Sequence, residues 1–246
     1  STYQGQGPDE ITIIGHVGID ETNRRFFVSD HGKLKIFAYD LDSVLTTPEY
    51  QPSVKIDMKK KLFPDDYLYL NDTLCIAKII EPIGNNDYKP SVARWNMATE
   101  EINPMPYEYP DLKKVRFIYA ASAEHQLYVQ CYTQYDLMTI CDFNGNLKCN
   151  IYGPKWVNEK TQTQHYSLGV EFCGDKILAL YSGGDHRTDA YYPTKFLVFD
   201  LNGNYLKTLE TGYMITDFCY DKENNRLIIN LNDEIQFAYL DLEGII

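Results

Sequence analysis

Short apolar runs recur along the chain, each set off by polar turn residues. "RRFFVSD" follows "ETN", "QLYVQCY" follows "SAEH", "KILALYS" follows "CGD" and "RLIINLND" follows "KENN". Runs of this length, rich in β-branched and aromatic residues and bounded by Asn, Asp, Gly or Ser, predict strands. No segment sustains a 3.6-residue period, so the pattern predicts an all-β chain.

A second hairpin pattern lies downstream of these runs. "MTICDFNGNLKCNIYG" (138–153) and "FLVFDLNGNYLKTLETG" (196–212) share an apolar strand ending in Asp, an Asn-Gly-Asn reversal, and a strand with Leu and Lys. Asn and Gly tolerate the positive φ that tight reversals need. Weaker copies stand at "IFAYDLDS" (36–43) and "FAYLDLEG" (237–244), with a degenerate one at "ARWNMATEE" (93–101). The marker residues Asp40, Asn96, Asp142, Asp200 and Asp241 are spaced 56, 46, 58 and 41 apart. Periods of roughly 40 to 50 residues, stretched by loop insertions, are those of radial four-stranded repeats. The fold class predicted is therefore a β-propeller of four-stranded antiparallel blades in a single domain. Its units span about 10–57, 58–110, 111–153, 154–210 and 211–246. The marker carboxylates are expected to cap their turns by accepting backbone N–H groups.

Strands A to C of the last unit run from about Tyr213 to Leu240. Residues 1–9 then read as the tail of a closing or preceding blade, with Ser1–Gln4 pairing beside residues 235–240. Either the ring closes on five blades, or it is six-bladed with one blade upstream.

Length and composition add limits. With 246 residues and 44% hydrophobic content, the chain can bury a large core. A net charge of -12, with Lys59–Lys61 the only dense basic run, excludes nucleic acid as an expected partner. No apolar stretch approaches the ~20 residues that span a bilayer. The six cysteines have no CxxC spacing and mostly sit in apolar runs, so they read as buried thiols, not metal ligands. At the 144–146 reversal, a type I turn with a bulge at Gly145 pairs Asp142 with Asn146. That register sets Cys141 across from Leu147 and Cys149 across from Thr139, which predicts both thiols reduced.

"GQGPDEI", "NRRFFVSD" and "KLKIFAYDLDS" resemble the Gly-x-Gly-Pro-x-Glu turn, strand-Asp and Lys-Ile-x-x-Phe-Asp pattern of NHL-like and TolB-like six-bladed propellers. These abound among exported proteins and lipoproteins of Bacteroides-type bacteria. The resemblance implies six blades and an exported protein, periplasmic or at the outer surface, with lipid anchoring through a segment outside this sequence.

The A to B turns ("ETN", "AEH", "GD") read as short, whereas the long connections are B to C ("KIIEPIGNNDYKPS", "SGGDHRTDAYYP") and D to A ("PYEYPDLKK", "YGPKWVNEKTQTQH"). In a propeller these share one face, and long loops in compact domains concentrate function. The candidate ligand-binding residues are Tyr88, Tyr107, Tyr109, Trp156, His165, Asp185, His186, Arg187, Asp189, Tyr191 and Tyr192. Aromatic faces beside carboxylates and a guanidinium suit a glycan or a partner protein. No metal or cofactor is expected, and a monomer is. Catalytic motifs are missing: there is no Gly-x-Ser-x-Gly elbow, no His-Glu-x-x-His and no phosphate-cradling glycine loop. The leading expectation is a non-catalytic binding or scaffold propeller. The alternative is a carbohydrate- or lactone-directed hydrolase or lyase at the central channel, which needs titratable groups such as two of the five histidines to converge there.

Overall fold

The structure, a computed structural model, describes residues 10–84 and 87–246. The chain divides into two compact units, one up to Met105 and one from Pro106. In the first unit, β1 (Ile14–Asp20), β2 (Arg25–Asp30), β3 (Lys35–Asp40) and β4 (Ser53–Asp57) form one sheet. A second sheet holds β5 (Phe63–Asn71), β6 (Leu74–Gly84), β7 (Asp87–Trp95) and β8 (Ile102–Pro104). The second unit has two four-stranded sheets. They are β9 (Phe117–Ser122) to β12 (Leu147–Tyr152) through β10 (Leu127–Tyr132) and β11 (Leu137–Asp142), and β13 (Thr163–Cys173) to β16 (Tyr205–Glu210) through β14 (Lys176–Asp185) and β15 (Lys195–Asp200). Its last sheet has three strands, β17 (Ile215–Asp221), β18 (Arg226–Leu231) and β19 (Phe237–Asp241). In every sheet, strands adjacent in sequence lie side by side, as in a propeller blade. The pairing expected of Ser1–Gln4 lies outside the described residues.

The continuous apolar runs are explained by burial on both faces. In β14, Ile177 and Ala179 pack with Val129, Met138 and Ile140 on one side. Leu178 and Leu180 pack with Phe196, Ile215 and Ile229 on the other. Ile177, Leu178, Ala179 and Leu180 all have 0% exposure. Each buried Leu or Ile contributes about 1.5–3 kcal/mol, so one such strand anchors two layers at once. In the first unit, Phe27, Ile36 and Ile56 interleave likewise with Tyr67, Ile79 and Trp95.

All five marker residues cap the turn after strand C. Asp142 Oδ1 accepts the N–H groups of Asn144 and Asn146, at 2.8 and 2.9 Å. Asp200 does the same for Asn202 and Asn204. Asn96 accepts from Ala98 and Thr99, and Asp241 accepts from Glu243. Gly145 and Gly203 supply the positive φ, 77° and 86°.

Three expectations need correction. The weaker copy of the hairpin reversal at 36–43 is not a tight reversal: Asp40 caps a helix, α1 (Leu41–Thr46), by accepting the Ser43 N–H at 2.7 Å. No Asn-Gly follows Asp40, so its carboxylate nucleates a helical turn where Asp142 nucleates a hairpin. "KIIEPIGNNDYKPS" is not an open loop, because β6 and β7 stay paired out to Gly84 and Asp87, and Tyr88 pairs with Pro82 inside the hairpin. The Cys register also differs by one. Cys141 lies across from Leu147, but Cys149 lies across from Ile140. A bulge near Lys148 absorbs a residue, an irregularity that recurs at β15/β16 and β3/β4. All six cysteines are free.

Candidate functional site

The D to A connection between β12 and β13 is built around a buried carboxylate. Asp136 lies just before β11 with 1% exposure. Its Oδ2 accepts the Lys155 N–H at 2.9 Å, and its Oδ1 accepts the Tyr181 hydroxyl at 3.3 Å. The Gly153 N–H binds the Asp136 carbonyl at 2.8 Å. A Cβ on Gly153 would fall 2.2 Å from the Asp136 carboxyl, so only glycine fits. The connection is thereby pinned on both sides of Pro154.

His165 belongs to this hub. Its Nδ1 lies 3.3 Å from the Tyr181 hydroxyl and 3.6 Å from Asp136 Oδ1, and its Nε2 lies 3.4 Å from the Thr161 hydroxyl. Burial pushes the imidazole below its ordinary value, and Asp136 only partly opposes this. At neutral pH His165 is uncharged. With 1% exposure it is a structural group inside the hub, not one that faces a ligand.

Above the hub sits an aromatic patch. Trp156 packs its ring 5.7 Å from Tyr109, 5.1 Å from Tyr152 and 6.4 Å from Tyr135. Tyr135 is buried and donates to the Lys113 carbonyl at 2.8 Å. The others are accessible: Tyr152 is 51% exposed, while Tyr107, Tyr109 and Trp156 are half-buried. The Tyr109 and Tyr152 hydroxyls meet at 3.3 Å, and that bond with burial pushes the Tyr109 phenol up to about 12. Tyr107 accepts from Asn150 Nδ2 at 2.8 Å, giving the patch a polar edge.

The "GGDHRTD" segment adjoins the same connection. His186 Nδ1 lies 2.9 Å from the Gln162 carbonyl, and Lys155 Nζ donates to the Gly183 carbonyl at 3.4 Å. Asp185 binds Arg187 through paired contacts at 3.1 and 2.8 Å, and this guanidinium holds the carboxylate far below its usual range. Asp189 and Tyr191 lie in a short 3₁₀ turn, and the rings of Tyr191 and Tyr192 are 4.2 Å apart. Of the residues singled out in the sequence, the second unit therefore gathers Tyr107, Tyr109 and Trp156 into one patch. It ties His186 to the neighbouring loop and buries His165. Tyr88 stands in the first unit, in the β6/β7 hairpin. Asp136, Asn150, Tyr152 and Lys155 went unrecognised in the sequence. Asp136 stands directly before strand C, the position that Leu34 fills in the first sheet, so the repeat carried no signal for it.

A second group of titratable residues lies in the first unit, on β1, β5 and β6 and in the turn after β2. His16 Nδ1 is 2.9 Å from Asp66, His31 Nδ1 is 4.0 Å from Asp65, and Lys78 is 2.7 Å from Asp65. The Nε2 atoms of both histidines are buried without a hydrogen-bond partner. Among the described residues, no group of three or more His, Cys, Asp or Glu is disposed to hold a metal ion.

Comparison with known proteins fits this architecture. A family described as a 6-bladed beta-propeller matches residues 2–73. Two crystal structures of the extracellular domain of BT4673 from B. thetaiotaomicron, described as a proposed one component and a proposed hybrid two component system, align with a TM-score of 0.58 at 10% identity. They cover 94% and 98% of this chain, which spans only 28% of the length of theirs. A chain of the nidogen/laminin complex aligns with a TM-score of 0.58 at 12% identity, over 94% of this chain and 76% of that one. No curated protein matches in sequence. At these identities the likeness is one of fold, and the fold is a β-propeller.

Proposed function

We propose that this propeller is an exported, non-catalytic binding module. It holds a glycan or a partner protein on the B to C and D to A face of its second unit, as a monomer that a lipid anchor can tether. The observation that carries this is the patch of Tyr109, Tyr152 and Trp156, accessible rings edged by Asn150 and Tyr107 and fixed from below by Asp136. Stacking on such faces combines apolar contact with polar orientation, the chemistry a sugar ring or an extended peptide offers. Extracellular placement draws support from the likeness to the extracellular domains of BT4673. Glycan-array screening followed by titration of Trp156→Ala and Tyr191→Ala tests it. Trp156→Ala is expected to weaken binding about tenfold or more, as loss of a central aromatic anchor does. Binding unchanged in both variants would place the site elsewhere.

A hydrolase or lyase reading has one observation in its favour, the pairing of His16 with Asp66. Nδ1 faces the carboxylate, which leaves Nε2 as the ring's other nitrogen. That atom is buried away from any substrate, so the binding reading leads. Turnover of a carbohydrate or lactone that His16→Gln abolishes would reverse the order.

A further inference from the structure

The hydrogen-bonding groups of the aromatic patch are unevenly spent. Asn150 Oδ1 accepts the Thr139 hydroxyl at 2.7 Å, and one Asn150 amide hydrogen goes to Tyr107. The Asp136 carboxylate oxygens are taken by Tyr181 and Lys155, in a group with 1% exposure. Neither the Asn150 carbonyl nor the Asp136 carboxylate is therefore left to accept a hydrogen from a ligand.

Donors, by contrast, are in surplus. Tyr107 accepts from Asn150, and among the described residues nothing takes its own hydrogen. The Tyr109 and Tyr152 hydroxyls share one bond at 3.3 Å, so one of their two hydrogens points elsewhere. The Trp156 indole N–H has no acceptor among the described residues and is not sealed from solvent. The rings also make no flat platform. Their planes cross at 76° for Tyr109 and Tyr152, 67° for Tyr109 and Trp156, and 59° for Tyr152 and Trp156, which leaves ridges with grooves between them.

A sugar ring stacks best on an even aromatic face, and its hydroxyls bring hydrogens that need acceptors at the edge. An ordinary extended peptide brings an N–H with every carbonyl. Proline brings the carbonyl alone, and the polyproline II helix holds its carbonyls outward with no internal hydrogen bonds. We propose that the patch recognises a proline-rich segment of a partner protein in polyproline II form, an inference that rests on the reading of this face as a binding site. The pyrrolidine rings lie in the grooves between Tyr109, Tyr152 and Trp156. The segment's carbonyls accept from the Trp156 indole, from Tyr107 and from the unspent hydroxyl of the tyrosine pair. Such a segment is preformed, so little ordering offsets the contacts it makes with ridged aromatic surfaces.

The test uses the full chain and fluorescein-labelled decaproline, read by anisotropy beside a labelled glycine–serine peptide of the same length. The expected result is saturable decaproline binding about tenfold or more tighter than that of the control. Trp156→Phe keeps a ring in place but deletes the indole N–H, and should weaken decaproline about three- to tenfold. No binding of decaproline, equal binding of the two peptides, or an unchanged affinity in Trp156→Phe overturns the proposal. A glycan that binds wild type, is lost in Trp156→Ala and is not displaced by decaproline also overturns it, while the face stays a binding site. If neither decaproline nor any arrayed glycan shows binding that Trp156→Ala weakens, the broader reading of the face falls with it.

Discussion

Replacing Asp136 with alanine removes the group that holds the candidate binding face in place. Two donors lose their acceptor inside a site with 1% exposure, the Lys155 N–H and the Tyr181 hydroxyl. Each buried orphan costs about 1–3 kcal/mol. The space left by the carboxyl adds a packing loss, so Asp136→Ala should cost about 3–5 kcal/mol. For a chain of 246 residues, at about 2–4 °C per kcal/mol, the midpoint falls by about 10 °C. Asp136→Asn keeps a carbonyl oxygen for Lys155 and an amide for Tyr181, whose hydroxyl can turn to accept, so it should cost less than half as much. Thermal unfolding followed by far-UV circular dichroism measures both variants. Equal midpoints for wild type and Asp136→Ala, within about 1 °C, would refute the argument that this carboxylate carries the connection.

Two further predictions follow from titration and capping. His165 is held below its ordinary value in the fold, so the unfolded chain takes up its proton first as pH falls; stability is complete above about 6.5 and is lost below it. The wild-type midpoint should therefore drop between about pH 6.5 and 5 by more than that of His165→Gln, and parallel profiles would sink the assignment. Asp30, fully buried, accepts the N–H groups of Thr12, Ile13, Gly32 and Lys33 at 2.9 to 3.1 Å. Burial pushes its carboxyl up, but these donors outweigh it and hold it below the usual range, so its contribution is present above about pH 4 and lost as pH falls further. Asp30→Ala should cost about 4 kcal/mol in urea unfolding, and a loss under about 1 kcal/mol would contradict the four-donor cap.

The repeat was legible because its signal is local. The marker at the end of strand C recurs with its turn chemistry, and "DLNGNYL" dictates its own reversal wherever it stands. The A to B turns carried a comparable signal that went unread: Asp20 with Asn23 and Arg25, and Asp221 with Asn224 and Arg226, repeat the same carboxylate cap and ion pair. What sequence could not show was pairing at a distance. Loop length and strand continuation look alike in "KIIEPIGNNDYKPS", since Lys, Glu and Pro weaken the strand signal even where two strands shelter each other. The hub escaped for the same reason. Asp136, Lys155, His165 and Tyr181 come from four separate stretches, and none carries a mark of the others.

The division between a committed scaffold and free connections also explains where function can sit in this fold. Central strands such as β14 bury both faces, so a substitution that introduced chemistry there would break two packed layers together. The connections carry no such double constraint, but a loop of irregular backbone has no ladder to hold a ring in a fixed orientation. Asp136 resolves that conflict in the second unit. It stands at the start of a rigid strand, reaches sideways into the next connection, and fixes Lys155 one residue from Trp156. The aromatic patch thereby inherits the rigidity of the sheet without being part of it, the preorganisation that lets a binding surface keep its affinity instead of losing it to loop ordering.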